Sequence, residues 1–310
     1  MRIDLVSGLV YGFIRNDKEQ IHKAFAQCLA NEKEGTVKTR IRCMYDEYKC
    51  REGMAVVEKL DSSIQGLISP PCRDISFDDL FLSEDVKDDT AKLLLEWENR
   101  DYLIENGLLP SNKILLEGPP GNGKTSYAIA LAKKLNLTLL TTSSSLVLNS
   151  HMGQSEKNVA MLFNKIPDKC VLFFDEFESL ASGREDPGFD SGGASRAWNS
   201  IVTALLVGME NIRSSVLFLA ATNRSDLLDK AVLRRFDMRL DFPNPTPKEK
   251  EDYIQSYLDK YGIVLGTGKT QRKLDKAVSY SAMETVLRKR HKEIVLKRLL
   301  AEKANGLLMD

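Results

Sequence analysis

The chain has 310 residues, of which 43% are hydrophobic and 28% charged, and it carries 44 Lys plus Arg against 44 Asp plus Glu. Such ordinary globular usage excludes global disorder, collagen-like repeats and a field that would draw the whole molecule onto nucleic acid or an anionic membrane. At roughly 100–200 residues per unit, the length fits two or three compact domains.

The apolar opening Leu5 to Phe13 follows Asp4 and ends at Arg15-Asn16-Asp17 without a small-residue cleavage site, so no signal peptide is expected and the cytoplasm is the default compartment. Apolar runs such as Val216 to Ala221 fall far short of the roughly 18 residues that cross a bilayer. Residues 1–72 read as helix-rich. Lys18 to Asn31 and Tyr45 to Leu60 carry apolar residues at helical spacing, broken by Glu32-Lys33-Glu34-Gly35, and Pro70-Pro71 punctuates the chain. Between Phe77 and Phe242, short apolar runs alternate with helical patterns, the arrangement of an α/β parallel sheet with flanking helices. The expected strands are Lys113 to Glu117, Leu137 to Thr142, Cys170 to Asp175, Val216 to Ala221 and Arg239 to Phe242. Beyond Pro243, Pro245 and Pro247 the pattern is helical with charged faces, which predicts domains at 1–72, 73–243 and 244–310. The five cysteines (Cys28, Cys43, Cys50, Cys72, Cys170) lack C-x-x-C spacing and read as reduced structural thiols.

Gly118-Pro119-Pro120-Gly121-Asn122-Gly123-Lys124-Thr125 fits G-x-x-x-x-G-K-[ST] between an expected strand and a helical pattern. Glycines let successive backbone N–H groups turn toward phosphate oxygens at a helix N-terminus, Lys124 reaches the β and γ phosphates, and the Thr125 hydroxyl suits Mg²⁺. Val171-Leu172-Phe173-Phe174 leads into Asp175-Glu176. Asp175 would hold Mg²⁺ through water, and Glu176 would polarise a water for in-line attack. The next apolar run ends in Thr222-Asn223-Arg224, on the same edge of a parallel sheet, where the Asn223 amide can orient that water. Leu233-Arg234-Arg235-Phe236-Asp237 adds two guanidinium groups able to neutralise charge on a transferring phosphoryl group.

Together these motifs resemble the AAA+ ATPases, and within them the AAA proper subgroup that includes katanin, spastin and the membrane-anchored AAA proteases. The resemblance runs from Phe77 to about Tyr257 and implies a P-loop AAA+ fold, preceded by the helix-rich region and followed by a small all-α lid. Phe77-Asp78-Asp79-Leu80 is similar to the segment that covers the adenine. The implied nucleotide set is Asp79, Leu80, Phe81, Pro120, Gly121, Asn122, Gly123, Lys124, Thr125 and Ser126. Asp175-Glu176 resemble the Walker B acids, Asn223 sensor 1, and Arg234 and Arg235 the arginine fingers. The cofactors implied are ATP and Mg²⁺. Leu82 to Val86 and Gly107 to Pro110 are similar to compact bacterial AAA ATPases that pair with an effector such as a subtilisin-like protease.

Three positions depart from the family pattern. His151-Met152-Gly153 stands where threading relatives carry an aromatic and an aliphatic residue on a pore loop, Phe81-Leu82 replaces paired glycines, and no arginine falls at sensor 2. The expectation is a homo-oligomeric ATPase, a hexameric ring, that remodels or regulates a protein partner. The alternative is a nucleotide-gated scaffold or switch for a separate effector, without threading. The basic stretch Arg288 to Lys292 lies in an amphipathic helical pattern, so neither nucleic acid nor membrane is an expected partner.

Overall fold

A computed structural model describes residues 3–15, 17–31, 36–69, 73–148, 154–181, 193–264 and 268–304. By contacts, the chain divides into Glu52–Pro245 and a second unit made of Met1–Arg51 and Thr246–Asp310.

The first unit is built on five strands, β1 (Lys113–Glu117), β2 (Thr138–Ser143), β3 (Cys170–Asp175), β4 (Leu217–Thr222) and β5 (Met238–Asp241). Their order is β2-β3-β4-β1-β5, and every neighbouring pair is parallel. All five carboxyl ends therefore lie on one edge. The strands read as unbroken apolar runs because helices cover both faces, and the pleat sends alternate residues to opposite sides. Ile114 and Leu116, Val171 and Phe173, and Leu217 and Leu219 enter one core with Tyr127 and Trp97. Leu115, Leu172, Phe174, Phe218 and Ala220 enter the other. That second core holds an aromatic nest in which Phe218 stacks on Phe236 at 6.0 Å and meets Phe174 edge-on at 5.7 Å. The helix Gly193–Glu210 closes over it, with Gly208 pressed against the Phe163 ring so tightly that an added Cβ would lie 2.9 Å from Phe163 Cε2.

The expected strands at 113–117 and 170–175 match the structure, and those at 137, 216 and 239 are each shifted by one residue. Leu137 is taken up in the turn after the helix Lys124–Lys134, where its N–H donates to the Ala132 carbonyl at 2.9 Å. The helix expected at Tyr45 to Leu60 runs from Thr36 to Val57. Its last turn and the segment after it belong to the sheet unit. Ile64, Leu67 and Ile68 are buried in the aromatic core, and Ser69 exchanges backbone hydrogen bonds with Thr141 at 2.7 and 3.3 Å, covering the outer edge of β2. The contact boundary thus falls inside that helix, upstream of Pro70-Pro71.

Helices Ile3–Arg15, Lys18–Asn31 and Thr36–Val57 share a small core of Ile21, Phe25, Cys28, Ile41 and Tyr45. The C-terminal helices Pro247–Tyr261, Lys269–Lys276 and Tyr280–Ala304 pack around Tyr257, Leu274, Met283 and Leu287. Thr246 starts the first of these with a capping box in which the Glu249 N–H and the Thr246 N–H are both satisfied, and Pro247 occupies the first turn where no donor is needed. Among the described residues, no helix is long and apolar enough to cross a membrane.

Candidate functional site

The loop between β1 and the helix Lys124–Lys134 gathers three left-handed glycines, Gly118 (φ 134°), Gly121 (φ 82°) and Gly123 (φ 95°). These backbone angles are unstrained only without a Cβ. Gly118 has a second constraint, because a Cβ there would come within 2.8 Å of the Phe242 carbonyl carbon at the end of β5. Asn122, buried in the same loop, donates through Nδ2 to the Pro243 carbonyl at 3.1 Å and to Asn244 Oδ1 at 3.0 Å. Two residues of the loop are therefore seated on the backbone that follows β5.

Lys124 opens the helix and is buried. Its ammonium has three protons and finds three acceptors, the carbonyls of Gly118 (2.5 Å) and Pro119 (2.9 Å) and the side-chain oxygen of Asn223 (2.9 Å). Burial pushes its pKa below the usual lysine value, against the pull of the Asp175, Glu178 and Asp241 carboxylates. The next residue, Thr125, donates its hydroxyl to Asp175 Oδ2 at 3.1 Å. A hydroxyl and a carboxylate facing each other form the hard oxygen set that suits Mg²⁺, and the inward-turning glycine loop with its buried cation fits a chain of phosphates.

Glu176 lies just beyond β3 with φ 54°, a left-handed conformation that a side-chain-bearing residue adopts only when held there. Its N–H donates to Asp175 Oδ1 at 3.0 Å. Its carbonyl accepts from the Ser179 N–H at 3.1 Å and from the buried Ser144 hydroxyl at 2.5 Å. The next residue, Phe177, is fully buried and donates its N–H to the Ala221 carbonyl at 2.9 Å, which ties this turn to β4. Asn223 follows β4 directly and lies between Lys124 and Glu178, to whose Oε1 its Nδ2 donates at 3.4 Å.

The structure thus joins Lys124 to Asn223 and Thr125 to Asp175 on one edge, with Glu176 beside Asp175. Ser126 is half-buried in the first turn of the helix, and Pro120 and Gly121 are exposed on the loop. Phe77–Asp79 forms a single 3-10 turn capped by Ser76 and Asp79. Phe77, Leu80 and Leu82 line a cavity of about 620 Å³ together with Thr90, Ala130 and Lys133, beside the second half of the helix that Lys124 begins, while Phe81 is half-buried. Arg234 is exposed. Arg235 pairs with Glu210, its Nε donating at 3.0 Å and its Nη2 more closely. His151 and Met152 lie outside the described residues.

The sequence reading missed three side chains of this neighbourhood. Ser144 and Glu178 touch the residues that follow β3 and β4. Asp237 accepts from the Asn112 and Lys113 N–H groups at 3.0 and 2.9 Å, fastening the arginine segment to the start of β1. Glu178 left a trace in the sequence as a third acid after Asp175-Glu176, and Asp237 as the last residue of the arginine motif, but Ser144 left none.

A glycine loop on a buried lysine, an acidic strand end and a polar β4 terminus on one edge of a 2-3-4-1-5 parallel sheet define a P-loop ATPase domain. Residues 114–244 match the family model described as "ATPase family associated with various cellular activities (AAA)", so this unit is an AAA ATPase domain, of the AAA subgroup within the AAA+ ATPases. The chain is similar to the peroxisomal ATPase PEX6 of Dictyostelium discoideum, 36% identical over 221 residues, which is 69% of this chain and 18% of that protein. It is 35% identical to peroxisomal ATPase PEX6 of Candida glabrata over 66% of the chain and 20% of the relative, and 38% identical to that of Arabidopsis thaliana over 56% and 19%. The chain spans about a fifth of the length of these curated relatives. All three organisms are eukaryotes, so the resemblance to compact bacterial ATPases paired with a protease draws no support from them.

Proposed function

We propose that the chain hydrolyses ATP to ADP and phosphate in a homo-oligomer, a hexameric ring, and that turnover remodels or regulates a protein partner. The observation that carries the reading is the meeting of Lys124 with Asn223 and of Thr125 with Asp175, contributed by the start of a helix, the end of β3 and the residue after β4, on one sheet edge. In this reading the backbone of Gly121, Asn122 and Gly123 with Lys124 holds the β and γ phosphates, and Ser126 and the Asp79-Leu80-Phe81 segment complete the nucleotide site. Thr125 and Asp175 hold Mg²⁺, which when bound neutralises charge shared between the β and γ phosphates. Glu176 accepts the proton of the attacking water, and Asn223 orients that water.

Arg234 and Arg235 act on the nucleotide of a neighbouring copy. Arg234 has an exposed side chain for this, whereas Arg235 first has to leave Glu210, an exposed pair worth about 0–1 kcal/mol and cheap to break. Residues 1–72 recognise the partner or stabilise the ring, 73–243 bind nucleotide and 244–310 form the lid. The compartment is the cytoplasm; the peroxisomal designation belongs to proteins of which this chain spans about a fifth.

A second reading, a nucleotide-gated scaffold for an effector that threads nothing, is favoured by His151-Met152 at the pore-loop position, where imidazole gives less grip than an aromatic ring. Unfolding of an unrelated tagged fluorescent protein tests between the two. ATP-dependent loss of its fluorescence supports the motor, and turnover stimulated by a partner without such loss supports the scaffold.

A further inference from the structure

Glu178 has no part in the proposed mechanism, yet its carboxylate faces Asn223. It opens the short helix Glu178–Ala181 directly after the Glu176 turn, and the buried Phe177 beside it is bonded to the end of β4. That anchor places Glu178 against Asn223. Both the backbone N–H and the side-chain Nδ2 of Asn223 donate to Glu178 Oε1, each at 3.4 Å. Among the described residues, the other carboxylate oxygen, Oε2, is buried and has no hydrogen-bond partner. A buried carboxylate oxygen without a donor is costly, so a role at this position beyond filling space is called for.

The Asn223 amide is held at both ends by groups of opposite sense. Lys124, which only donates, faces its oxygen at 2.9 Å, and Glu178, which only accepts when ionised, faces its NH₂. Rotating the amide by half a turn would set NH₂ against an ammonium and C=O against a carboxylate, two repulsive contacts in place of two attractive ones. We infer that Glu178 is a positioning residue that fixes the orientation of the Asn223 amide for the attack of water. The inference rests on the proposed role of Asn223. The 3.4 Å contacts are long for hydrogen bonds, so what restrains the amide here is chiefly the electrostatic preference of a carboxylate for NH₂ over C=O. With Lys124 drawn toward phosphates, Glu178 becomes the group that keeps the amide from turning.

An acidic residue in the first turn of a helix also interacts favourably with the helix dipole, and that purely structural role predicts a loss of stability without a kinetic signature coupled to Asn223. The test measures kcat, KM for ATP, binding of a fluorescent ATP analogue and melting temperature for the full chain carrying Glu178→Ala, Glu178→Gln, Asn223→Ala and the double alanine change. Glu178→Ala should lower kcat roughly 10- to 100-fold, the scale on which a misplaced catalytic group is felt, with analogue binding changed by no more than about twofold. Glu178→Gln keeps an acceptor facing Asn223 and should recover most of the loss. The double variant should be no slower than Asn223→Ala alone, because both changes remove one function. Should Glu178→Ala fail to fold, Glu178→Met keeps the length without the acceptor and carries the same expectation.

Wild-type kcat in Glu178→Ala where Asn223→Ala is slow, or additive losses in the double variant, would overturn the inference and leave the ATPase reading standing. Wild-type kcat in Asn223→Ala would overturn both the role of Asn223 and the inference.

Discussion

The Lys124 ammonium donates to the Asn223 side-chain carbonyl at 2.9 Å, joining the glycine loop after β1 to the end of β4 across the carboxyl edge of the sheet. This contact lets burial of the lysine be tolerated, since all three protons of the charged form are used.

Burial nevertheless lowers the Lys124 pKa below its ordinary 10.5. The unfolded chain then holds this proton to higher pH than the folded chain does. The cost of burying the charge is fully present below the folded pKa and is relieved as pH rises through it, so this group makes stability rise with pH over that interval. In the proposed role of Lys124, phosphate binding needs the ammonium and follows the opposite course. Affinity for a fluorescent ATP analogue, measured from neutral pH to about 10, should weaken before an ordinary lysine titrates. Affinity unchanged across that range would contradict the assignment of Lys124 to the phosphates.

Gly118→Ala introduces a Cβ at φ 134°, within 2.8 Å of the Phe242 carbonyl carbon. Such strain costs on the order of 1–3 kcal/mol or more and distorts the loop. A lower melting temperature and loss of analogue binding are expected. Gly66→Ala serves as the control, since Gly66 has φ −71° and nothing within 4 Å of the added atom. Equal behaviour of the two variants would argue against the tight seating of the loop on β5.

Tyr127 is fully buried under the sheet, its hydroxyl 2.9 Å from Thr90 Oγ1, and burial pushes its pKa up to about 12. Thr90 already donates to the Val86 carbonyl at 2.5 Å, so the tyrosine supplies the proton in the pair. Tyr127→Phe leaves the threonine oxygen without a donor and should destabilise the domain by about 1–3 kcal/mol in urea unfolding. No change in the midpoint would mean that the Tyr127 hydroxyl contributes nothing to the domain's stability.

Much of this site is legible along the chain, and the reason is local. Gly118 to Thr125 makes its loop from its own glycines, and the apolar run Val171 to Phe174 is too short for a helix of its own and suits a strand buried on both faces. Ser144, Glu178 and Asp237 are different. Asp237 bonds to Asn112 and Lys113, more than a hundred positions away, and Ser144 meets Glu176 only because β2 and β3 pair in the register Ser143↔Asp175. Such contacts follow from strand order, which no local pattern encodes. Helix Thr36–Val57 was legible only in part because its first half alternates lysine and arginine with apolar residues and gives no continuous apolar stripe.

Action of the arginines between copies predicts complementation. Arg234→Ala/Arg235→Ala and Lys124→Ala proteins, each inactive alone, should regain part of their turnover when mixed, because a mixed interface pairs an intact site with intact guanidinium groups; trans-acting arginines contribute roughly 10³- to 10⁵-fold in rate. Absence of recovery in verified mixed oligomers would count against action of the arginines between copies.

The most direct test of an ATPase site at this sheet edge compares Glu176→Gln with Lys124→Ala for ATP binding and steady-state phosphate release. Glutamine preserves the shape of the Glu176 turn but cannot accept a proton from water, so that variant should bind ATP and release no phosphate above background, whereas Lys124→Ala should lose binding itself. Phosphate release by Glu176→Gln at the wild-type rate would contradict the account.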